Sequence, residues 1–68
     1  MRQVLIYRGE SGQWVAECLS LRGCISEGPS REQAIANIQE AITAFVDALE
    51  SDGIPVPEEH FDVLLIAV

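Results

Sequence analysis

The sequence predicts an α+β domain with a two-layer β-β-β-α-β fold, in which one helix packs on a mixed four-stranded sheet of strand order 3-2-1-4. Three observations support this prediction. Short runs of strand-forming residues occupy the first 28 positions, an amphipathic helical pattern follows them, and an unbroken apolar run comes last. The 68 residues suffice for one domain, spanning positions 1–68.

The first three predicted strands are short and follow one another closely. They are "QVLIY" at 3–7, "WVAECL" at 14–19 and "CISEG" at 24–28. Gly9 and Gly12 mark a turn between the first two strands, and "SLRG" links the second to the third. Strands joined by such short links pair as antiparallel neighbours.

The second predicted strand has two different faces, because successive side chains of a strand point to opposite sides. Trp14 shares one face with the small residues Ala16 and Cys18, which allow a helix to approach closely. We therefore expect Trp14 in the core beneath the helix, with a role as a partner-binding anchor as the alternative. The opposite, open face carries Val15, Glu17 and Leu19.

The helix is predicted to begin after Ser30, a good N-cap residue. Gln33 stands three positions later and completes a capping-box pattern. Gly53 and Pro55 are expected to end the helix. The apolar positions in between follow the spacing of an amphipathic helix, and five of them are predicted to pack on the sheet: Ile35, Ile38, Ile42, Phe45 and Leu49.

The final run "VLLIAV", at 63–68, is predicted to be a fourth strand lying parallel to the first after a right-handed crossover. Its residues are apolar on both faces, whereas a single helix covers only one face of the sheet. An uncovered apolar face indicates a contact surface. We therefore expect a homodimer or larger assembly whose interface includes Val15, Leu19, Val63, Leu65 and Val68.

The composition restricts the possible partners. Eleven acidic residues face four arginines and no lysine, for a net charge of −7. Such a surface repels nucleic acid and anionic membrane, so we expect neither direct DNA binding nor membrane association. The first ten residues lack a signal-peptide pattern and no apolar run is long enough to span a bilayer, which favours the cytoplasm.

Metal, cofactor and catalytic chemistry have little support in the sequence. Cys18, Cys24 and His60 show no metal-ligand spacing, so no metal or cofactor is expected. The cysteines are predicted to be buried thiols, with a disulfide across the hairpin as the alternative. Two-metal nuclease chemistry needs converging carboxylates, and the acids Glu17, Glu40 and Asp62 are scattered along the chain. We expect no catalytic residue and no enzymatic activity.

The stretch "GQWVAECLSLRGCISEGPSREQAIANIQEAI" resembles the HicB-like antitoxin domain. The family pattern is a glycine-aromatic-valine-alanine strand, a leucine and a Gly-Cys pair, a Gly-Asp-Thr segment and then a helix. The matching positions are Gly12, Trp14, Val15, Ala16, Leu21, Gly23, Cys24, Gly28 and Ala34, followed by Gly53, Pro55 and Pro57 after the helix. Ser20 and Arg22 depart from prolines common in the family, and Pro29-Ser30 replaces Asp-Thr.

The resemblance implies a cut-down ribonuclease H fold and a role in silencing HicA, a small basic RNA-cleaving toxin. Many family members carry a second, DNA-binding module, and none is recognisable in these 68 residues. Candidate partner-binding residues are acids at strand ends, on the open face or at the helix start: Glu10, Glu17, Glu27 and Glu32. The alternatives are a stand-alone oligomeric domain with another regulatory or ligand-binding role and, least favoured, a degenerate ribonuclease H-like nuclease.

Overall fold

The computed structural model describes all 68 residues and contains three strands followed by one helix. Strand β1 spans Val4–Arg8, β2 spans Trp14–Cys18, β3 spans Ile25–Gly28, and helix α1 spans Arg31–Ser51. The strands form one antiparallel sheet of order β1-β2-β3. The predictions of three short antiparallel strands and of the helix that follows them are therefore confirmed. The helix is not apolar enough over its length to cross a membrane.

The predicted four-stranded mixed sheet of order 3-2-1-4 is wrong, because residues 54–68 form neither strand nor helix. This C-terminal segment, here called the tail, leaves α1 through Pro55 and Pro57, neither of which has an amide hydrogen for a strand ladder. Arg2 then donates a hydrogen bond to the Pro57 carbonyl, and the Gln3 amide donates to the Glu59 carboxylate. These contacts hold the tail at the start of β1, where Val63 and Leu65 lie beside Gln3, Val4 and Leu5 but no strand pairing forms.

The pairing register separates two different sheet faces. Arg8 pairs with Trp14, Ile6 with Ala16, and Val4 with Cys18, and these side chains face α1. Ala16 and Cys18 are buried against Ala34 and Ile38 of the helix, with Trp14 half-buried beside them. The predicted division of β2 into a helix-facing side and an open side is therefore confirmed.

The core is small. Only eight of the 68 residues are buried, and the fully buried apolar ones are Ala16, Cys18, Leu21, Cys24, Ala34 and Ile38. Leu21 belongs to the link between β2 and β3, where its amide donates to the Cys18 carbonyl and its carbonyl accepts from the Cys24 amide. The link therefore closes the end of the core as a tight turn.

Gly28 and Ser30 explain the abrupt change from strand to helix. A Cβ at Gly28 would lie 2.7 Å from the amide nitrogen of Ala34, so only glycine lets the first turn of α1 sit this close to β3. Ser30 is the N-cap, and its hydroxyl accepts a hydrogen bond from the Gln33 amide at 3.1 Å. Only this half of the predicted capping box forms, because the Gln33 side chain bonds Asn37 instead.

Gly53 ends the helix as the sequence predicts. Its φ of +69° lies in the left-handed region that glycine adopts without strain. The Gly53 amide donates to the Glu50 carbonyl and the Ile54 amide to the Leu49 carbonyl, which is the hydrogen-bond pattern of a Schellman motif.

Helix α1 packs chiefly over β2 and β3 and touches β1 little. Asn37 of the helix donates a hydrogen bond to the Glu27 carbonyl of β3 at 2.8 Å. The helix is thus tied to the β3 side of the sheet, whereas β1 keeps an uncovered outer edge.

Of the five helix residues predicted to pack on the sheet, Ile38 is buried, Ile42 and Phe45 are partly buried against the core, and Leu49 is half-buried. Ile35 is 41% exposed, because β1 lies away from the helix there.

Candidate protein-interaction surface

The sheet face opposite the helix is open to solvent over most of its area. We call it the open face, and the register places on it Leu5, Tyr7, Val15, Glu17, Ile25 and Glu27, with Leu19 just after β2. Leu5, Tyr7, Leu19 and Ile25 are 36–52% exposed. A cluster of large side chains that remain this exposed in a chain of this size is typical of a contact surface.

Two of the predicted partner-binding acids lie on the open face. Glu17 pairs with Leu5 on one side and Ile25 on the other, and Glu27 pairs with Val15. The two carboxylates are therefore diagonal neighbours on adjacent strands, about 7–8 Å apart at the backbone. None of the four arginines lies on this face, so both carboxylates are available to an external cation.

Tyr7 makes the one hydrogen bond to the Glu17 side chain. Its hydroxyl donates to a Glu17 carboxylate oxygen at 3.4 Å. Desolvation, followed by the negative charge of Glu17 and this hydrogen bond, raises the pKa of Tyr7. A tyrosine hydroxyl is protonated at neutral pH even without this shift, so Tyr7 is a hydrogen-bond donor on the open face.

The other two predicted acids stand at the rim. Glu10 lies in the turn between β1 and β2, and Glu32 lies in the first turn of α1. Both are exposed, at the same end of the molecule as Glu27, because the register places the end of β1, the start of β2 and the end of β3 side by side. Glu10, Glu27 and Glu32 therefore lie at one end of the molecule, which they share with Arg8 and Arg31. Leu5, Ile25 and Glu17 lie toward the opposite end of the open face.

The predicted interface residues are only partly brought together. Leu19, Val63 and Leu65 line one cavity of about 250 Å³ with Leu5, where the tail lies over the end of the open face. Val15 is half-buried farther along β2, and Val68 is fully exposed. The tail thus touches the open face but buries little of its own surface, since Leu64 and Leu65 remain 80% and 86% exposed.

The anchoring of the tail at Glu59 was not predicted. Desolvation raises the pKa of Glu59, but hydrogen bonds from the Gln3 and His60 amides and the charge of Arg2 outweigh it and lower the pKa overall. Arg2 also bonds the Ser20 hydroxyl at 2.9 Å, which joins the N-terminus, the β2–β3 link and the tail. The one sequence feature that could have indicated this anchor is Arg2, a positive charge at the start of an acidic chain.

A groove runs along the other side of β1. It has a volume of about 730 Å³ and lies between the helix-facing side of β1 and helix α1. We call it the β1 groove. It is lined mainly by apolar side chains and contains no acidic residue: Met1, Arg2, Val4, Ile6, Ile35, Ile38, Gln39, Ile42 and Thr43.

Trp14 has a second role beside packing. The guanidinium carbons of Arg8 and Arg31 lie 5.5 and 5.9 Å from the centre of its ring. Contacts of this kind between a cation and an aromatic face are favourable. Two of the four arginines are thus held on the helix-facing side of the sheet, which leaves the open face without positive charge.

The cysteines are buried, unbonded thiols, as predicted. Desolvation and the neighbouring Cys18 raise the pKa of Cys24, with Arg2 acting in the opposite direction, so its reactive thiolate is disfavoured at neutral pH.

His60 Nδ1 lies 2.6 Å from an Asp62 oxygen in the exposed tail. Glu17, Glu40 and Asp62 lie on the open face, the exposed side of α1 and the tail respectively, and no three metal-binding side chains converge.

Comparison with known proteins identifies the family. No known family profile and no solved structure matches the sequence. A UPF0150 protein of the cyanobacterium Synechocystis is 37% identical over 65 residues, covering 96% of this chain and 82% of that protein. The chain belongs to the UPF0150 family.

Other UPF0150 proteins support the assignment. One from the archaeon Thermoplasma acidophilum is 29% identical over 63 residues, covering 93% of this chain and 91% of its own length. Another, from Helicobacter pylori, is 50% identical over 32 residues, which is 47% of this chain. These relatives come from both archaea and bacteria, so the family is found across prokaryotes.

Proposed function

We propose that this UPF0150 protein is a HicB-like antitoxin module, which neutralises a small, basic, RNA-cleaving toxin of the HicA type by covering it. The observation that carries the proposal is the open face. It combines exposed apolar side chains with the carboxylates of Glu17 and Glu27 and has no positive charge of its own.

The composition of the open face suits a basic protein better than other partners. Leu5, Leu19 and Ile25 supply apolar area that a folded partner would bury. Glu17 and Glu27 then offer acceptors to arginine or lysine side chains that bind RNA in the free toxin. The net charge of −7 disfavours DNA and anionic membrane as competitors.

Inhibition by occlusion requires no chemistry from this chain. The three acids considered as nuclease candidates lie on different elements, and His60 is engaged with Asp62 in the exposed tail. The chain therefore supplies only a binding surface, which it presents in the cytoplasm to a toxin that carries its own catalytic groups. The resemblance of the chain from Gly12 to Ile42 to HicB-like antitoxins supports this role.

Co-expression with a small basic toxin encoded beside the protein's own gene tests the proposal. We expect the wild-type chain to restore growth and to co-purify with the toxin. Reversal of both open-face charges, Glu17→Lys with Glu27→Lys, should abolish rescue. The matched control is Glu40→Lys with Glu50→Lys, which changes the net charge equally on exposed helix positions and should leave rescue intact.

The rim acids provide a graded test. Glu10→Lys with Glu32→Lys should weaken binding less than the open-face pair, because exposed rim charges contribute little to affinity. Failure of the wild-type chain to bind or rescue against its own neighbouring toxin would rule out the antitoxin role.

A second candidate is a stand-alone oligomeric domain with another regulatory or ligand-binding role. The β1 groove favours it, since apolar clefts of about 300–1,000 Å³ are the usual size of small-molecule sites. Self-association without any toxin in a native-host pull-down would favour this candidate over the first.

A further inference from the structure

We propose that the protein forms a dimer in which residues 63–68 of each chain bind the β1 groove and the adjoining free edge of β1 in the other chain. The inference does not depend on the antitoxin role, because this groove lies on the side of the sheet opposite the open face. It rests on two apolar surfaces of the chain that lack a packing partner and complement each other, the outer side of β1 and the tail. We call them the incomplete surfaces.

The first incomplete surface is the outer side of β1. The sheet order leaves β1 with one edge that pairs with no strand, and the helix that protects the β3 side does not cover it. Val63 and Leu65 of the same chain approach this strand only at its start, beside Gln3, Val4 and Leu5. Beneath that edge, Val4, Ile6 and Ile35 face the apolar groove. An uncovered strand edge beside an apolar cleft is a site to which another extended segment can add.

The second incomplete surface is the tail itself. Residues 63–68 read "VLLIAV" and carry no charged side chain. Leu64, Leu65 and Ile66 are 80%, 86% and 64% exposed, although aliphatic residues of this size are normally buried. A segment of this composition satisfies the requirements of a strand, with alternate side chains on two faces.

Size and charge both match. Six extended residues span about 20 Å, close to the about 17 Å of the five-residue strand β1. The groove has no acidic lining residue and includes Arg2, whereas the rest of the chain gives the protein its charge of −7. The tail and the groove are therefore places where two acidic copies can meet without bringing carboxylates together.

The tail does not reach the groove of its own chain. Its contacts at Pro57 and Glu59 hold it at the start of β1, where Val63 and Leu65 lie beside Gln3, Val4 and Leu5. The residues beyond Glu59 make few contacts and can be donated to a second copy while the anchor stays in place. Reciprocal exchange gives two equivalent contacts, as two-fold symmetry requires.

Sedimentation analysis of the full chain tests this arrangement. We expect a wild-type dimer at micromolar concentration and monomers of Ile35→Glu, which blocks the groove, and of Leu65→Glu, which disables the tail. Both positions are exposed enough for the monomer to stay folded, at 41% and 86%, and circular dichroism verifies this. Ala36→Glu adds the same charge at an exposed helix position outside the groove and should leave the dimer intact.

Mixing the two monomeric variants separates exchange between chains from binding within one chain. Copies carrying Ile35→Glu still have an intact tail, and copies carrying Leu65→Glu have an intact groove. Their equimolar mixture should form a heterodimer through one contact, more weakly than wild type. A mixture that stays monomeric, or a wild-type chain that is monomeric at micromolar concentration, would overturn the proposal.

Disulfide trapping gives an independent readout that does not depend on destabilising variants. Chains with Gln39→Cys in the groove, mixed with chains carrying Ile66→Cys in the tail, should form a covalent heterodimer under oxidised glutathione. Chains carrying Ala36→Cys, which lies outside the groove, should not form a covalent heterodimer with the Ile66→Cys chains. If a single chain carrying both Gln39→Cys and Ile66→Cys closes only on itself, the tail binds its own groove and exchange is excluded.

Discussion

Ile38 is the residue on which the two layers depend most directly. It is 1% exposed and lies among Ala16, Cys18 and Leu21, so the helix meets β2 and the β2–β3 link at this side chain. Small residues on the sheet and one large residue on the helix let the two layers approach closely.

Ile38→Ala should therefore destabilise the fold by about 2–5 kcal/mol, because it removes a fully buried side chain and leaves a cavity. Ile42→Ala is the matched comparison, and it should cost less because Ile42 is only partly buried beside the groove. Urea unfolding followed by circular dichroism measures both. Equal losses, or a loss near zero for Ile38, would mean that the helix is docked differently.

Glu59 predicts how the tail responds to acid. Its pKa lies below the ordinary 4.5, so its carboxylate favours the anchored tail above that pH. This contribution is lost as the pH falls through the lowered pKa of the folded state. The amide signal of Gln3 in NMR spectra should therefore titrate below pH 4.5.

Two variants verify that the Gln3 titration reports on Glu59. Glu59→Gln should remove it, because the amide side chain does not ionise in this range. Glu58→Gln, at the exposed neighbouring position, should leave it unchanged. A Gln3 titration that persists in Glu59→Gln would show that another group is responsible.

At the scale of elements, local sequence signals determined where the helix begins and ends. Ser30 caps the first turn, and Gly53 forms the Schellman motif after the last. The side chain of Gln33 turns to Asn37, which itself holds β3, so a tertiary contact takes the place of the second half of the capping box.

Ser30→Ala should lower the free energy of unfolding by about 1 kcal/mol, since the Gln33 amide loses its partner at the N-terminus of the helix. Ser51→Ala makes the same chemical change at the exposed last residue of α1, whose hydroxyl caps no backbone group, and should be close to neutral. Thermal and urea unfolding compare the two. A larger loss for Ser51→Ala would argue against capping as the cause.

At the scale of the whole molecule, charge is distributed unevenly. Arg8 and Arg31 are held on Trp14, on the helix side of the sheet, whereas Glu17 and Glu27 occupy the open face. A basic partner on the open face therefore meets carboxylates and no arginine, whereas helix α1 carries Arg31 together with four further acids, Glu32, Glu40, Asp47 and Glu50.

Association with a basic toxin should be faster at low ionic strength, because charges are screened over about 30 Å at 0.01 M salt and about 8 Å at 0.15 M. Stopped-flow mixing measures the association rate across this range. The Glu17→Lys, Glu27→Lys variant should lose most of the salt dependence, and the Glu40→Lys, Glu50→Lys control should keep more of it. An association rate insensitive to salt would exclude electrostatic steering.

The sequence by itself determined the three hairpin strands, the helix and its caps, and the two faces of β2. These features follow from periodicity, glycine and capping residues, whose effects act over a few neighbouring positions. It also located Glu17 on the open face, because alternation along a strand is strict, whereas the place of Glu27 beside it came from the pairing of β3 with β2.

Only the tertiary structure decided the position of residues 63–68. Their apolar pattern meets the requirements of a strand, but a strand also needs backbone hydrogen bonds to a neighbouring strand. Arg2 and Gln3 bind the tail at Pro57 and Glu59, and residues 63–68 then run close to the start of β1 without pairing with it. The same holds for the β1 groove, which exists because Asn37 ties the helix toward β3. Both outcomes depend on contacts between residues far apart in the chain, whose geometry no local pattern of residues specifies.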